Sequence, residues 1–531
     1  MNKYRLIAVL LFTLFLAVPS GQAQEIAPEP DKYSLGDDAA IDELLDAPAD
    51  EYIAVENSAE EKPVAAEPVK AEQAEPLAQD ESAEDVNQDE EKRFKIESGR
   101  DTENTPDGFY FGSYGRVPVT GDLDGHPGYS SNVVHHGARI MEGPYAELDF
   151  GYKLSHPDNH FNVKILSTLA LFEGLFHYTG VDDQKIGLRN LYAEVSGFLP
   201  YVSLWMGSRM WRGDDIYLLD YWPLDNLNTY GGGLSVDWQG LQLRFHMGVN
   251  RLMDDYQYQE IKVPGRAMWA ETITGLDRQR LISSLKATYH LFNLKDDFSM
   301  KFSAYGEFHH LPSGGLTLED QTTQDLPSDK GFLAGAQIGM WGFGKSSHLN
   351  LFFKYAAGLA AYGEWSSPWG LADDYSTDGA YEFVSGASFN WESHWVGVTA
   401  GGYLRRFSDA DDNKYDMDDF WEGIFTVRPS IYVWDHFQQA FELSYQQRKP
   451  DGIQPLTDKV ESPYVVQFSV IEILSWDRSS FERPHFRLFY TMSYLNDHAL
   501  NLYPVGDRRS DKNIQHFLGA GVEWWFNSSY K

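Results

Sequence analysis

The chain has 531 residues and a formal net charge of −36, with 43 lysines and arginines against 79 aspartates and glutamates. This acidic balance argues against a nucleic-acid partner, because phosphate groups require a basic protein surface. Cysteine is absent, so an exported protein of this length would fold without disulfides and would not be a small stapled domain.

The N-terminus has the pattern of a secretory signal peptide. Lys3 and Arg5 give a positive start, and an apolar run extends from Leu6 to about Val18. Gly21-Gln22-Ala23 then offers a small-residue cleavage site, so we expect residues 1–23 to be removed after Ala23. The apolar run is shorter than the roughly 20 residues that cross a membrane as a helix.

The segment 24–105 is acidic and nearly free of aromatic residues. Between Gln24 and Asn104 there are 26 acidic and 7 basic residues, which supply about half of the net charge of the chain. A segment of this composition buries too little apolar surface to offset the entropy cost of ordering. We predict a disordered periplasmic arm, which acts either as a plain spacer or as a contact to peptidoglycan or a periplasmic partner.

Residues 106–531 alternate polar and apolar side chains in many short segments. In Leu241–Asn250 the apolar residues share one face and most polar residues share the other. Tyr145–Tyr152 follows the same rule. A period of two marks a strand whose two faces meet different environments. The clearest candidate strands are Phe109–Val117, Tyr201–Arg209, Leu281–Leu291, Phe298–Phe308, His348–Ala357, Gly423–Val433, Phe437–Gln446, Tyr464–Ile473, His485–Leu495 and Gln515–Phe526.

The alternation predicts an all-β protein with its apolar face turned outward. Past the signal peptide, no stretch of the sequence is long and apolar enough to form a transmembrane helix. A membrane protein without such a helix must be a closed barrel, because every backbone polar group in lipid needs a partner. High aromatic content suits the interfacial girdles of such barrels. We therefore predict a transmembrane antiparallel β-barrel over residues 106–531, in contact with outer-membrane lipid.

Motifs at both ends of this region carry a resemblance to a known family. The opening strand contains Phe111-Gly-Ser-Tyr114-Gly-Arg116, and the next contains Tyr145-Ala-Glu147 after Arg139. A strand–turn–strand segment from Arg189 leads into the loop Arg209–Asp225, and the last strand ends in Glu523-Trp-Trp525-Phe526. Taken together, these motifs resemble those of the maltoporin-type (LamB-family) sugar porins.

The resemblance implies an eighteen-stranded, trimeric outer-membrane barrel of a Gram-negative bacterium, with an inward-folded constriction loop. Its lumen would carry an aromatic slide for maltodextrins or other oligosaccharides. The implied slide residues are Tyr114, Tyr145, Trp525, Phe352 and Trp421. The implied polar track and constriction residues are Arg116, Arg139, Glu147, Arg189, Arg209, Asp215, Asp220, Trp222 and Asp225.

Strand parity supports these positions unequally. Tyr114 and Arg116 are two residues apart, so both should face the lumen. In a later strand, Phe420 rather than Trp421 shares the face of Arg428, unless a bulge intervenes. Parity therefore supports the slide residues in the first and last strands and does not decide the role of those in the middle strands.

Two other functions stay open at this point. A general diffusion porin would use the same aromatic residues as structural elements only. A barrel enzyme such as a phospholipase would need a Ser-His pair on its lipid-facing side, and the sequence offers no such pair, so we predict no catalytic residues and no cofactor.

Asp409-Ala-Asp411-Asp412-Asn413 resembles the start of a calcium loop but lacks its turn glycine, so we predict a solvated loop rather than a metal site.

Overall fold

The computed structural model describes residues 107–529, apart from 158–159, 173–184, 253–255, 265–269, 296–297, 318–322, 414 and 456. The predicted signal peptide (1–23) and acidic arm (24–105) lie outside the described residues. Among the residues that are described, no helix has the length and apolar character needed to cross a membrane.

The described chain forms an antiparallel sheet of 18 strands that closes on itself, since its first strand pairs with its last. The strands are β1 Gly108–Gly121, β2 Tyr145–Ser155, β3 Asn162–Phe172, β4 Lys185–Ser196, β5 Val202–Arg212, β6 Asn226–Trp238, β7 Leu241–Asn250, β8 Arg280–Lys295, β9 Phe298–Leu311, β10 Asp329–Trp341, β11 Lys345–Gly358, β12 Tyr381–Glu392, β13 Val396–Ser408, β14 Phe420–Trp434, β15 Phe437–Pro450, β16 Tyr464–Ser475, β17 His485–Leu495 and β18 Ile514–Phe526. The fold class is thus confirmed, and each of the candidate strands overlaps an observed one.

Smaller elements lie in the connections between strands. Two hairpins pair Tyr258–Pro264 with Ala270–Leu276 and Gly314–Thr317 with Thr323–Leu326. Short helical turns occur at Arg139–Met141, Tyr217–Leu219, Leu359–Tyr362 and Asp497–Leu500.

The two faces of the sheet differ as the alternation predicts. In β7, Phe245 and Met247 are exposed on the outer surface, whereas His246 between them is buried. In β2, Phe150 and Tyr152 are exposed, while Glu147 and Asp149 are buried on the inner side. Apolar side chains therefore cover the outside of the barrel and polar side chains line its interior, which is the pattern of a barrel surrounded by lipid.

The two ends of the barrel have connections of different length. Connections of 11 to 29 residues join β1 to β2, β3 to β4 and so on around one end, which we call the loop end. At the other end, the turn end, seven connections have two to six residues, and the eighth, residues 476–484, has nine. Long loops at one end and tight turns at the other are typical of outer-membrane barrels.

Two connections from the loop end fold into the barrel and build a core there. In the third loop, residues 213–225, Ile216, Leu219, Tyr221 and Leu224 are buried against the inner face of β9–β14. In the first loop, residues 122–144, Ala138, Ile140 and Met141 pack against β15–β18. The two loops touch where His136 stacks on Tyr221, with ring centroids 3.9 Å apart. Burial of each large apolar side chain contributes about 1.5–3 kcal/mol, so both loops are held inside by their own sequences.

Candidate functional site

The register around the barrel seam brings the first and last strands of the barrel together. Six inward side chains lie next to one another on three paired strands: Tyr114 and Arg116 on β1, Tyr145 and Glu147 on β2, and Glu523 and Trp525 on β18. Tyr114 stands between Glu147 and Trp525, and paired residues of this kind have Cβ atoms about 4.5–5.5 Å apart. Aromatic and charged side chains therefore alternate across this part of the inner wall.

Four aromatic side chains form the centre of the site. Trp222, delivered by the third loop, packs on Tyr114, and Tyr145 and Trp525 border the pair. Tyr114 is completely buried, whereas Tyr145 and Trp525 are partly exposed. The Arg212 guanidinium lies 3.9 Å from the centroid of the Trp222 ring, so the tryptophan is held from its other side by a cation–π contact. Tyr145 and Trp525 are therefore the two rings of the cluster whose residues keep exposed surface.

An arginine of the first loop connects the aromatic cluster to the last strand. Arg139 donates hydrogen bonds to the Tyr114 hydroxyl at 2.5 Å and to the Glu523 carboxylate at 2.8 Å. Its guanidinium also lies 4.7 Å from the centroid of the Tyr217 ring in the third loop. Arg139 is buried, and its pKa lies well above the usual value because the acidic groups around it outweigh the effect of burial. Arg139 therefore stays charged and ties three separate segments together.

A second arginine forms an ion pair that holds the tip of the third loop against the barrel wall. Arg116 pairs with Asp220 at 3.2 Å and with Glu142 at 3.0 Å. Asp220 has a left-handed backbone with φ of 49°, a conformation that aspartate and asparagine tolerate better than most residues. Because Asp220 also lies 3.5 Å from Arg139, one carboxylate joins the loop tip to both arginines.

A third arginine serves the opposite edge of the cluster. Arg189 donates to both the Tyr145 hydroxyl and the Glu147 carboxylate, and that hydroxyl also contacts Glu147. The side chain of Arg189 is partly exposed, while that of Glu147 is buried. A partly exposed arginine therefore lies beside a partly exposed tyrosine.

The base of the third loop is fixed by ion pairs to the far wall. Asp225 accepts a hydrogen bond from Lys286 of β8 at 2.8 Å, and Asp214 accepts from Lys301 of β9 at 3.0 Å. Burial opposes ionisation of Asp214, but Lys301 and Lys286 outweigh it and hold the pKa of this carboxyl below its usual range. The sequence did not single out Asp214 as a site residue, although it directly precedes Asp215, which was expected in the constriction.

Besides Asp225, four of the expected residues lie away from the cluster. Arg209 pairs with Glu194 at 2.6 Å among the rings of Tyr192, Trp205 and Trp211. Asp215 is in the third loop, and its Oδ2 is buried without a hydrogen-bond partner among the described residues. Phe352 is 1% exposed beneath that loop, and Trp421 is 42% exposed on the outer face of the barrel. The structure therefore does not bring Phe352 or Trp421 next to Tyr114.

A further group of residues was not foreseen from the sequence because it comes from a turn. In the nine-residue connection 476–484, which we call the inward turn, Arg483 contacts Glu523 at 3.1 Å and lies 4.9 Å from the centroid of the Trp525 ring. Phe481 packs edge-on against Tyr217, with centroids 5.1 Å apart. The third loop is therefore contacted from the turn end as well as from the loop end.

Comparisons with known proteins find a family, a relative and several solved structures to which the chain is similar. The family model described as LamB porin matches residues 113–526. The maltoporin of Hahella chejuensis (strain KCTC 2396) is 25% identical over 324 residues, which are 55% of this chain and 76% of that protein. Among solved structures, Pseudomonas aeruginosa OccD3 (OpdP) has a TM-score of 0.40 at 9% identity, covering 79% of this chain and 91% of that one. The in-vitro folded trimer form of Vibrio cholerae OmpT has a TM-score of 0.35 at 12% identity, covering 79% and 100%.

The family match runs from the first strand of the barrel to the last and covers most of the chain. It includes every strand that contributes to the aromatic cluster and the loop that delivers Trp222. The chain therefore belongs to the LamB porin family and is an outer-membrane β-barrel porin.

Proposed function

We propose that this porin is a channel for the facilitated diffusion of sugars, either maltodextrins or other oligosaccharides. The observation that carries the proposal is the cluster of Tyr114, Tyr145, Trp222 and Trp525, bordered by arginines and carboxylates. A pyranose ring has apolar C–H faces and a rim of hydroxyl groups. Stacking on an aromatic ring removes the apolar face from water, and charged groups replace the water bound to the hydroxyls.

The partly exposed residues of the cluster have distinct roles in this proposal. Tyr145 and Trp525 offer ring faces for stacking, and Arg116 and Arg189 donate hydrogen bonds to sugar hydroxyls. Trp222 narrows the path and is itself held by Arg212. Several weak contacts of this kind let a sugar enter without being trapped, which any selective pore requires. The name maltoporin, carried by the Hahella chejuensis relative, points in the same direction.

We further propose that the mature chain begins after Ala23, that segment 24–105 extends into the periplasm, and that three copies form a homotrimer. These proposals rest on the sequence pattern and on the family. N-terminal sequencing of the protein from outer membranes tests the cleavage, and native mass spectrometry in detergent tests the trimer. A retained leader or a monomeric mass would contradict them.

A general diffusion porin is the second candidate, and one observation favours it. Phe352 and Trp421 are remote from the aromatic cluster, so a continuous slide through the middle of the barrel is missing at these two positions. In that case the cluster would be part of the packing between the third loop and the wall.

Sugar block of ion current in planar bilayers separates the two candidates. We expect maltodextrins, sucrose or other oligosaccharides to reduce the conductance of the purified porin at micromolar to millimolar concentrations. Loss of a stacking ring in Trp525→Ala removes about 1–1.5 kcal/mol, which raises the half-blocking concentration roughly tenfold. Trp421→Ala is the matched control, because Trp421 lies on the outer face, and it should leave the block unchanged. A conductance that is indifferent to every sugar would reject the sugar channel and favour general diffusion.

A further inference from the structure

The inward turn crosses the turn end of the barrel beneath the third loop. Its Ser480 N–H donates to Glu392 at the end of β12 at 2.7 Å, and its Ser479 carbonyl accepts from Gln438 of β15 at 2.9 Å. Phe481 then reaches Tyr217 in the third loop. The turn is therefore anchored to the wall on one side and to the third loop on the other, and it places Arg483 inside the barrel.

Arg483 joins a group of cations around one carboxylate. Glu523 lies 2.8 Å from Arg139, 3.1 Å from Arg483 and 4.0 Å from Arg487 of β17. All three arginines are buried, and so is Glu523. A single carboxylate thus pairs with three guanidinium groups, and its distance to Arg487 is the longest of the three.

The surrounding ion pairs do not remove the excess charge. Arg428 of β14 is matched by Glu442 of β15 at 2.7 Å. Arg116 and Arg139 share Asp220 and Glu142 between them. Within the described part of the chain, the ion pairs of this group join five arginines (Arg116, Arg139, Arg428, Arg483 and Arg487) to four carboxylates (Glu142, Asp220, Glu442 and Glu523). The carboxylate of Glu482, next to Arg483 in the chain, also interacts with Arg483 but is partly exposed.

Two further observations increase the excess of positive over negative charge in these ion pairs. Burial, with the adjacent carboxylate of Asp220, raises the pKa of Glu142 to about 7, so this group is not fully ionised at neutral pH. In addition, the Nε atoms of Arg139, Arg483 and Arg487 are buried without a hydrogen-bond partner among the described residues. Unpartnered N–H groups of buried cations are costly, and an anion that accepts from them would relieve the cost.

We propose that Arg483 and Arg487, together with Arg139, form a subsite for an anionic substituent of the transported sugar, so that the channel prefers acidic oligosaccharides to neutral ones. The inference rests on the proposed sugar channel and names its substrate class. Arg483 lies 4.9 Å from the centroid of the Trp525 ring, and Trp525 is partly exposed. A sugar stacked on Trp525 would bring a carboxylate or sulfate on its rim toward this guanidinium. Guanidinium groups bind such planar or branched oxyanions through paired N–H donors.

Block by matched neutral and acidic trisaccharides tests the proposal on the full porin in planar bilayers. The probes are maltotriose, trigalacturonate and sulfated maltotriose. We expect the acidic probes to half-block the wild-type channel at concentrations at least tenfold below that of maltotriose in 0.1 M salt. Because the preference is electrostatic, it should shrink in 1 M salt. If only one acidic probe shows the preference, the subsite takes that anionic group.

Variants of three arginines, two in the inward turn and one in the strand that follows it, test the assignment. Arg483→Gln and Arg487→Gln should each lower the preference at least fivefold, with the block by maltotriose changing less. Arg478→Gln should keep the preference, because Arg478 pairs with the exposed Asp435 at the rim. Should the interior variants fail to fold, the salt dependence of the wild-type preference decides the question without them.

Three outcomes overturn the inference. Equal block by maltotriose and both acidic probes rejects the anionic subsite but leaves the sugar channel intact. An equal loss of preference in Arg478→Gln would assign the effect to general surface charge. If no probe blocks the channel, the proposed function itself fails, and the subsite fails with it.

Discussion

Replacement of Asp220 by asparagine tests how the third loop is held inside the barrel. Asparagine tolerates the left-handed backbone at this position, so the change removes the charge and leaves the loop geometry acceptable. The carboxylate is 13% exposed and lies 3.2 Å from Arg116 and 3.5 Å from Arg139. A hydrogen bond to a charged partner contributes about 1.5–3 kcal/mol, and shared, partly exposed pairs lie toward the lower end. We take about 2 kcal/mol, which corresponds to a roughly 30-fold increase in the opened population of the loop.

Amide hydrogen exchange measures this opening directly. The Ile216 N–H bonds to the Tyr221 carbonyl at 2.7 Å and the Leu219 N–H to the Ile216 carbonyl at 2.9 Å, so both exchange only when the loop opens. Their exchange should be about 30-fold faster in Asp220→Asn than in the wild type. Asp215→Asn is the matched control, because the Oδ2 of Asp215 has no hydrogen-bond partner among the described residues, and it should not accelerate exchange. Acceleration below threefold in Asp220→Asn, or equal acceleration in both variants, would refute this account.

Two other predictions concern packing and pH. Phe352→Ala should destabilise the porin by about 3–5 kcal/mol in denaturant unfolding, because Phe352 is buried beneath the third loop, whereas Phe353→Ala on the outer face should cost far less. Burial and the nearby Asp416 raise the pKa of Asp409 from 3.8 to about 8, and the pKa of Asp416 itself rises to about 6. The folded loop 409–419 therefore binds more protons than the opened loop, so its exchange protection, corrected for intrinsic rates, should fall as pH rises from about 4 to 8. That fall should be smaller in Asp409→Asn and unchanged in Asp412→Asn, and a pH-independent wild type would contradict the assignment.

The strands were predictable from the sequence because each side chain position has only two possible directions. Alternation located β7 and β17 to the residue and assigned the inner and outer faces of β1 and β2. It also indicated that Phe420, not Trp421, faces inward, and the structure confirms this parity. The closed register then carries Tyr114, Tyr145 and Trp525 to one place, which the family motifs implied and alternation alone could not.

Parity cannot predict what covers an inward side chain. Phe352 faces inward as expected, but the third loop lies over it, so it belongs to a packed core. Arg209 also faces inward and meets a different set of aromatic rings from those at Tyr114. Both outcomes depend on the path of a loop, which is set by many long-range contacts and has no period in the sequence.

The inward turn was unpredictable for a related reason. Residues 476–484 contain no alternation, and no local rule distinguishes a turn that points into solvent from one that folds under a loop. Only the structure shows that Phe481 meets Tyr217 and that Arg483 meets Glu523. The charge balance of the site therefore had to be counted from three-dimensional contacts.

The seam between β1 and β18 has a consequence for assembly. Tyr114 and Trp525 come from the first and last strands, so the aromatic cluster to which they belong forms only when these two strands pair. A nascent barrel that is still open at this edge would lack the aromatic cluster, and so would a chain shortened before Ile514. Any solute that binds there adds RT ln(1 + [L]/Kd) to the stability of the closed form alone. A solute that binds at the cluster would therefore favour closure of the barrel, the final step of its folding.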